Sequence, residues 1–158
     1  MSLTLTSTAF KAGSNIPPIH TCDGDNISPP LSWSGIPSSA KSLALIVDDP
    51  DAPDPAAPQR IFTHWVLYNL PPNATGLAQG VTSAELPRGT KEGLNDWKKP
   101  GFGGPCPPIG RHRYFHKLYA LDAALPDLGN PSKGELEKAM QAHIIEQAEL
   151  IGLYQRNE

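Results

Sequence analysis

The stretch GGPCPPIGRHRYFHKLYALD, Gly103 to Asp122, joins a loop dense in glycine and proline directly to a segment with strand-like alternation. Each proline fixes its own φ and the glycines tolerate close approach, so the loop can order its backbone and turn N–H groups toward a ligand. The segment that follows then projects His112, Tyr114 and His116 on one face, because side chains of a strand alternate with period two. An imidazole and a phenol beside an ordered loop read as a recognition pocket for a small polar or anionic group.

Two earlier segments converge on the same reading. LALIVDDPDAP, Leu43 to Pro53, is an apolar run of strand length that stops at a cluster of turn formers, which leaves Asp48, Asp49 and Asp51 at a strand end. IFTHWVLYNLPP, from Ile61, alternates so that Phe62, His64, Val66 and Tyr68 share one face and Ile61, Thr63, Trp65 and Leu67 the other. His64 then stands mid-strand among apolar and aromatic neighbours.

The remainder of the chain reads as mostly β. Strands are expected at Ser2 to Phe10, Leu31 to Trp33, Leu43 to Asp48, Ile61 to Asn69 and Arg113 to Asp122, separated by turns rich in Pro and Gly. With 18 Pro and 14 Gly in 158 residues, helices have little room before the end. There, Ser132 and Glu135 form a capping box, and Leu136, Met140, Ile144, Ala148 and Ile151 mark an apolar stripe, which predicts a helix from Pro131 to about Arg156 packed on the sheet. The weakly periodic stretch from Pro71 to Pro108, with a short strand near Ala78 to Ala84, is expected to be a functional loop bordering the pocket. Trp33, Trp65 and Tyr119 are expected in the core.

Length and composition indicate one domain spanning residues 1–158, large enough to bury roughly two thirds of its unfolded surface. A formal net charge of −3 argues against nucleic acid and against an anionic membrane surface, both of which require clustered Lys and Arg. The N-terminal residues lack the basic start and apolar core of a signal peptide, so the expected location is cytoplasmic, without integral membrane association. Cys22 and Cys106 do not form a disulfide framework by their number or spacing, and in a reducing compartment they are expected as structural thiols.

His64, His112, His116 and the Asp cluster are metal-ligand types, but His112 and His116 lie four apart on a strand, roughly 13 Å, too far to share an ion. A site built from Asp49, His64 and His112 stays open as the weaker reading, since loop amides suit an anion better than a cation. Asp23 to Asn26 does not match an EF-hand loop. Neither GxxxxGK[ST] nor GxGxxG occurs, and the Gly-rich loop runs into a strand where those motifs open a helix, so no nucleotide and no other cofactor is expected.

Taken together, DPDAP, the histidine in HWVLYNLP and GPCPPIGRHRYFHKLYALD resemble the phosphatidylethanolamine-binding protein family, also called the Raf kinase inhibitor protein family. CDGDNISPPLSWSGIP and AHIIEQAELIGLYQR resemble its bacterial and archaeal branch. The resemblance implies a mainly β (α+β) fold, with an antiparallel Greek-key-like two-sheet core and a C-terminal helix. It also implies an anion pocket lined by Asp49, Asp51, Ala52, Pro53, His64, Gly104, Pro105, His112 and Tyr114, and a cis bond between Ala52 and Pro53. In that pocket His64, His112 and Tyr114 would donate hydrogen bonds, and Asp49 would orient an imidazole or accept from a protonated ligand oxygen.

The chain departs from animal members, which carry a tryptophan near the pocket histidine where Phe62 stands here and lack the PCPP form of the loop. Inhibition of a Raf-type kinase is therefore not carried over. The expected function is a non-enzymatic module for a small phosphorylated or carboxylate ligand, with a phosphoprotein partner to regulate. Homodimerisation is suggested by resemblance alone. The alternative is a hydrolase using Asp49 and His112 as an acid/base pair, although no nucleophile elbow accompanies them.

Overall fold

The computed structural model describes residues 2–156. Two antiparallel sheets face each other. The smaller orders β1 (Thr4–Thr6), β2 (Leu31–Ser34) and β5 (Gly76–Leu77) side by side. The larger runs β6 (Lys91–Glu92), β4 (Arg60–Leu70), β3 (Ser42–Ala52), β7 (His112–Leu121) and β8 (Ile144–Tyr154).

The unbroken apolar run in β3 follows from its place at the centre of this sheet, covered on both faces. One face of the large sheet packs Leu43, Leu45, Val47, Leu118 and Ala120 against Leu5, Leu31 and Trp33 of the small sheet. The other packs Ala44, Ile46, Val66, Tyr68 and Leu121 against Leu136 and Met140 of α1 (Lys133–Met140). A strand buried on both sides has no reason to alternate. Trp33, Trp65 and Tyr119 are all core residues, as their bulk predicts.

Strand and helix extents depart from expectation in three places. The N-terminal strand is confined to Thr4–Thr6, and the stretch near Ala78 to Ala84 holds a turn of 3₁₀ helix at Ser83–Glu85 in place of a strand. The largest correction concerns the C-terminal region. Ser132 accepts from the Glu135 amide and the Glu135 carboxylate accepts from the Ser132 amide, so the capping box starts α1 as predicted. The helix nevertheless ends at Met140, and Ile144–Tyr154 is a strand paired with β7, with Glu146 opposite Ala120 and Leu150 opposite His116. Residues 144 and 148, read as a helical stripe, are an even number apart and so also share a strand face; the spacing alone does not separate the two. The open edge of β7 settles the competition, since each β8 residue that pairs there satisfies backbone groups a helix would leave out of the sheet. Ile144, expected in the core, is 37% exposed.

Cys22 and Cys106 are joined in a disulfide across a sequence separation of 84, with Cα atoms 5.4 Å apart. This overturns the expectation of free thiols, which followed from an assumed reducing compartment. Their distance in sequence concealed the pairing; the fold brings the segment before β2 against the loop before β7. No helix among the described residues is long and apolar enough to cross a membrane.

Candidate functional site

A cavity of ≈ 290 Å³ opens where the ends of β3, β4 and β7 meet the loop at 106–108. Two irregularities in β-pairing aim its side chains. Val47 pairs with Trp65 and Asp48 with Thr63, which leaves His64 as the extra residue of a bulge on β4. A bulge shifts the alternation by one. His64 therefore faces the same side as Trp65, against Tyr114, while Val66 and Tyr68 face α1; the four residues expected on a common face are divided. A second shift, between Asp49 and Ala52, lies on β3 where DPDAP begins, and the Ala52–Pro53 bond is cis, as the motif predicts.

His64 is 3% exposed and packs edge-on against the rings of Trp97 and Tyr114, at centroid distances of 5.3 and 5.2 Å. Its Nδ1–H donates to the Gly103 carbonyl at 2.8 Å. Burial pushes its pKa down to about 4, so the ring is neutral at pH 7. With Nδ1 holding the proton, Nε2 carries a lone pair and can only accept. No hydrogen bond from the described residues reaches it, and it is not among the solvent-shielded atoms left without a partner. His64 thus presents an acceptor at the cavity wall.

His112 is held on both nitrogens. Nε2–H donates to the carbonyls of Ile109 at 2.8 Å and Pro53 at 3.1 Å, and Nδ1 lies 2.5 Å from Oδ2 of Asp49. Since carbonyls accept only, Nε2 must carry a proton, and the short Nδ1 contact then needs exactly one more, shared between the ring and the carboxyl group. The pair is an imidazolium and a carboxylate or two neutral groups, with zero net charge either way. Burial raises the Asp49 pKa, and the bonds from His112 and from the Asp51 amide at 2.7 Å oppose that rise. Tyr114 lies over His112 with rings nearly parallel. Its pKa is raised by burial and then by the charges of Asp49 and Asp51, so its hydroxyl stays protonated.

Of the residues expected at this wall, Asp49, Ala52, Pro53, His64, His112 and Tyr114 line the cavity. Asp51, Gly104 and Pro105 do not. Asp51 turns to the opposite face of the sheet, where it accepts from the Arg113 amide, Nε and a terminal guanidinium nitrogen at 2.9–3.0 Å. That guanidinium keeps the Asp51 pKa below the ordinary carboxylate range. Gly104 donates its amide to the Asn26 side chain, and the Pro105 carbonyl accepts from the Cys22 amide at 3.1 Å. A Cβ at Gly104 would sit 2.3 Å from the His20 carbonyl oxygen, so this close backbone crossing admits only glycine. The expectation that His112 donates to a ligand also fails, because its donors are spent on Asp49 and two carbonyls.

Sequence reasoning missed Arg60, Trp97, Cys106, Pro107 and Pro108 as lining residues, and treated Phe62 only as a departure at the rim. Arg60 lies over the Phe62 ring at 5.0 Å from its centroid and brings a cation to the rim. The signal for Arg60 was present, since it shares alternation with Phe62 and His64; Trp97 lies in the long loop, where no periodicity points inward. His116, by contrast, is buried away from the cavity, with Nδ1 3.2 Å from the carbonyls of Tyr114 and Leu150. No group of three or more metal-ligating side chains occurs among the described residues.

Comparison with known proteins bears on the family and the fold. The family model described as phosphatidylethanolamine-binding protein matches residues 6–155. A UPF0098 protein of Methanothermobacter thermautotrophicus is 51% identical over 155 residues, covering 98% of this chain and 99% of the relative. The crystal structure of a putative phosphatidylethanolamine-binding protein homologue from Chlamydia trachomatis superposes with a TM-score of 0.90 at 43% identity, covering 99% of each chain. Escherichia coli YbcL, described as a new member of the mammalian family, gives 0.89 at 34% identity over 99% of this chain and 100% of its own. With the cavity, the DPDAP turn and this full-length similarity in hand, the chain belongs to the phosphatidylethanolamine-binding protein family, among its bacterial and archaeal members.

Proposed function

We propose that this chain is a binding module for a small oxyanion that retains one proton, a phosphate monoester in its monoanionic form above all, seated between His64, Tyr114 and the Asp49–His112 pair. The observation that carries the reading is the unpartnered Nε2 acceptor of a neutral His64 at the cavity wall. A fully ionised oxyanion offers only lone pairs to that nitrogen, whereas a P–O–H group donates to it. The remaining ligand oxygens can accept from the Tyr114 hydroxyl, and Arg60 supplies positive charge at the rim. Simple carboxylates fit the volume but are almost wholly deprotonated at pH 7, so phosphate-like ligands are favoured over them.

Trp97, which lines the cavity and is 42% exposed, offers apolar surface to whatever substituent the phosphoryl group carries, including a phosphorylated side chain of a partner protein. Phosphatidylethanolamine itself is a phosphodiester without a P–O–H, so its ammonium would have to be the donor to His64. A hydrolase reading is disfavoured by His112, since neither ring nitrogen is free to exchange a proton with a substrate.

Calorimetry of phenyl phosphate between pH 5.5 and 8 tests this. With a second ligand pKa near 6, affinity should fall about tenfold per pH unit on the alkaline side, because the competent monoanion is depleted by that factor. The sign follows from the ligand alone: with its pKa at about 4, His64 gains no charge in this window. His64→Leu should weaken binding about tenfold or more, the loss of one buried hydrogen bond. Affinity that is flat or rises toward pH 8, or that survives His64→Leu, refutes the reading.

A further inference from the structure

We propose that the Cys22–Cys106 disulfide is a thiol–disulfide exchange site whose reduction releases the loop wall of the cavity and so lowers ligand affinity. The proposal rests on the binding role assigned above only for its affinity readout. The loop from Gly103 to Gly110 is tied down at its ends. Gly103 exchanges bonds with His64, Gly104 donates to Asn26, the Pro105 carbonyl accepts from the Cys22 amide, and the Ile109 carbonyl accepts from His112. Between these ties, at residues 106–108, no hydrogen bond is formed among the described residues. Two of the three are prolines and have no N–H to offer. Among the described residues, the disulfide is the one polar or covalent cross-link on the segment that closes the cavity.

That segment is also a shared partition. Cys106, Pro107 and Pro108 line the ligand cavity, Cys106 lines a neighbouring cavity with Gly104, and the two prolines line a larger one, ≈ 590 Å³, on the far side. Space on both sides leaves room for the wall to move once released. Both cysteines are solvent-exposed, so an incoming thiolate can reach the bond. Exposed disulfides are the labile ones; structural bridges are normally buried and resist reduction.

The step balances with a dithiol reductant. Its thiolate attacks one sulfur of the pair, the Cys22–Cys106 bond breaks, and a mixed disulfide forms as the other cysteine leaves as thiolate. The second thiol of the reductant then displaces the first cysteine, so the reductant is oxidised to a disulfide and both cysteines end as thiols, a transfer of two electrons and two protons.

The test uses the full chain, oxidised and then treated with dithiothreitol without denaturant, followed by hydrogen exchange and phenyl phosphate calorimetry. Reduction is expected to go to completion, to leave exchange in β3 and β7 unchanged, to accelerate exchange of the Gly103 to Arg111 amides about tenfold or more, and to weaken phenyl phosphate about tenfold. Reoxidation should restore both. The double variant Cys22→Ser/Cys106→Ser should behave as the reduced form with or without dithiothreitol. Resistance to reduction without denaturant, unchanged loop exchange after reduction, or unfolding of the whole chain would each overturn the proposal. If the oxidised chain binds no phenyl phosphate, the binding reading falls, and the exchange measurement still decides whether the loop is released.

Discussion

Lowering the pH from 7 to 5 should destabilise this protein through two buried histidines. His64 and His116 are 3% and 2% exposed, and burial pushes the pKa of each from 6.5 to about 4. Between those values the unfolded chain binds a proton that the folded chain does not, so stability falls as pH falls through this window and the loss is complete below about pH 4. At pH 5 the imbalance amounts to about 2 kcal/mol for each histidine, about 4 kcal/mol together, a large share of the 5–15 kcal/mol typical of a domain. The lowered carboxyl pKa of Asp51 acts only below the ordinary carboxylate range, outside the window. The raised pKa of Asp49 acts with the opposite sign, and the lowered pKa of the buried His20 with the same sign. A single-site difference removes these common contributions. His116→Asn keeps a side-chain N–H for the carbonyls of Tyr114 and Leu150 but does not titrate. In urea denaturation, the fall in stability between pH 7 and 5 should be about 2 kcal/mol smaller in this variant than in the wild type. Equal falls in the two proteins would refute the reasoning.

Two further outcomes test the packing. Leu136→Ala, at a fully buried position on α1, should cost about 2–5 kcal/mol in a urea titration, whereas Ile144→Ala, at a partly exposed position on β8, should cost less than about 1 kcal/mol. Gly104→Ala should cost at least about 1–3 kcal/mol by thermal or urea unfolding, because the added Cβ meets the His20 carbonyl and the Asn26 side chain.

The sequence marks the residues of the site better than it marks their roles. An unbroken apolar run marks β3, period-two alternation marks β4 and β7, and the motif at Asp48 to Pro53 marks the turn that closes the cavity. Alternation cannot reveal a bulge, because the extra residue is defined by what pairs opposite it on another strand. Hence alternation puts His64 with Val66 and Tyr68, from which the fold separates it. The resemblance alone puts Asp51 in the cavity, whereas its direction depends on the register shift after Asp49 and on Arg113, which is 62 residues away. β8 was hidden for a related reason, since helix and strand patterns coincide at even spacings and only the free edge of β7 distinguishes them. The disulfide was out of reach because cysteine count and spacing say nothing about two loops that meet only in the folded chain.

Those corrections change the chemistry of the site. Three donors around an anion would have made a cationic receptor that binds best when its histidines charge. The geometry instead presents a neutral His64 that accepts, a His112 locked to Asp49 with no net charge, and a Tyr114 hydroxyl kept protonated by burial and nearby carboxylates. A site of this kind recognises a ligand by the proton it still carries as much as by its charge, because a lone pair facing a lone pair is repelled and a lone pair facing an O–H is not. Arg60, the one Lys or Arg lining the cavity among the described residues, stands at the rim over Phe62, where it can draw an anion in but is too well hydrated to fix its protonation state. On the binding role proposed above, the pH dependence of binding is a property of the ligand, and the pH dependence of folding a property of the buried histidines. These act in opposite directions on acidification: ligand competence rises toward pH 6 while the scaffold begins to lose stability below it. A binding optimum on the mildly acidic side of neutrality follows from that opposition.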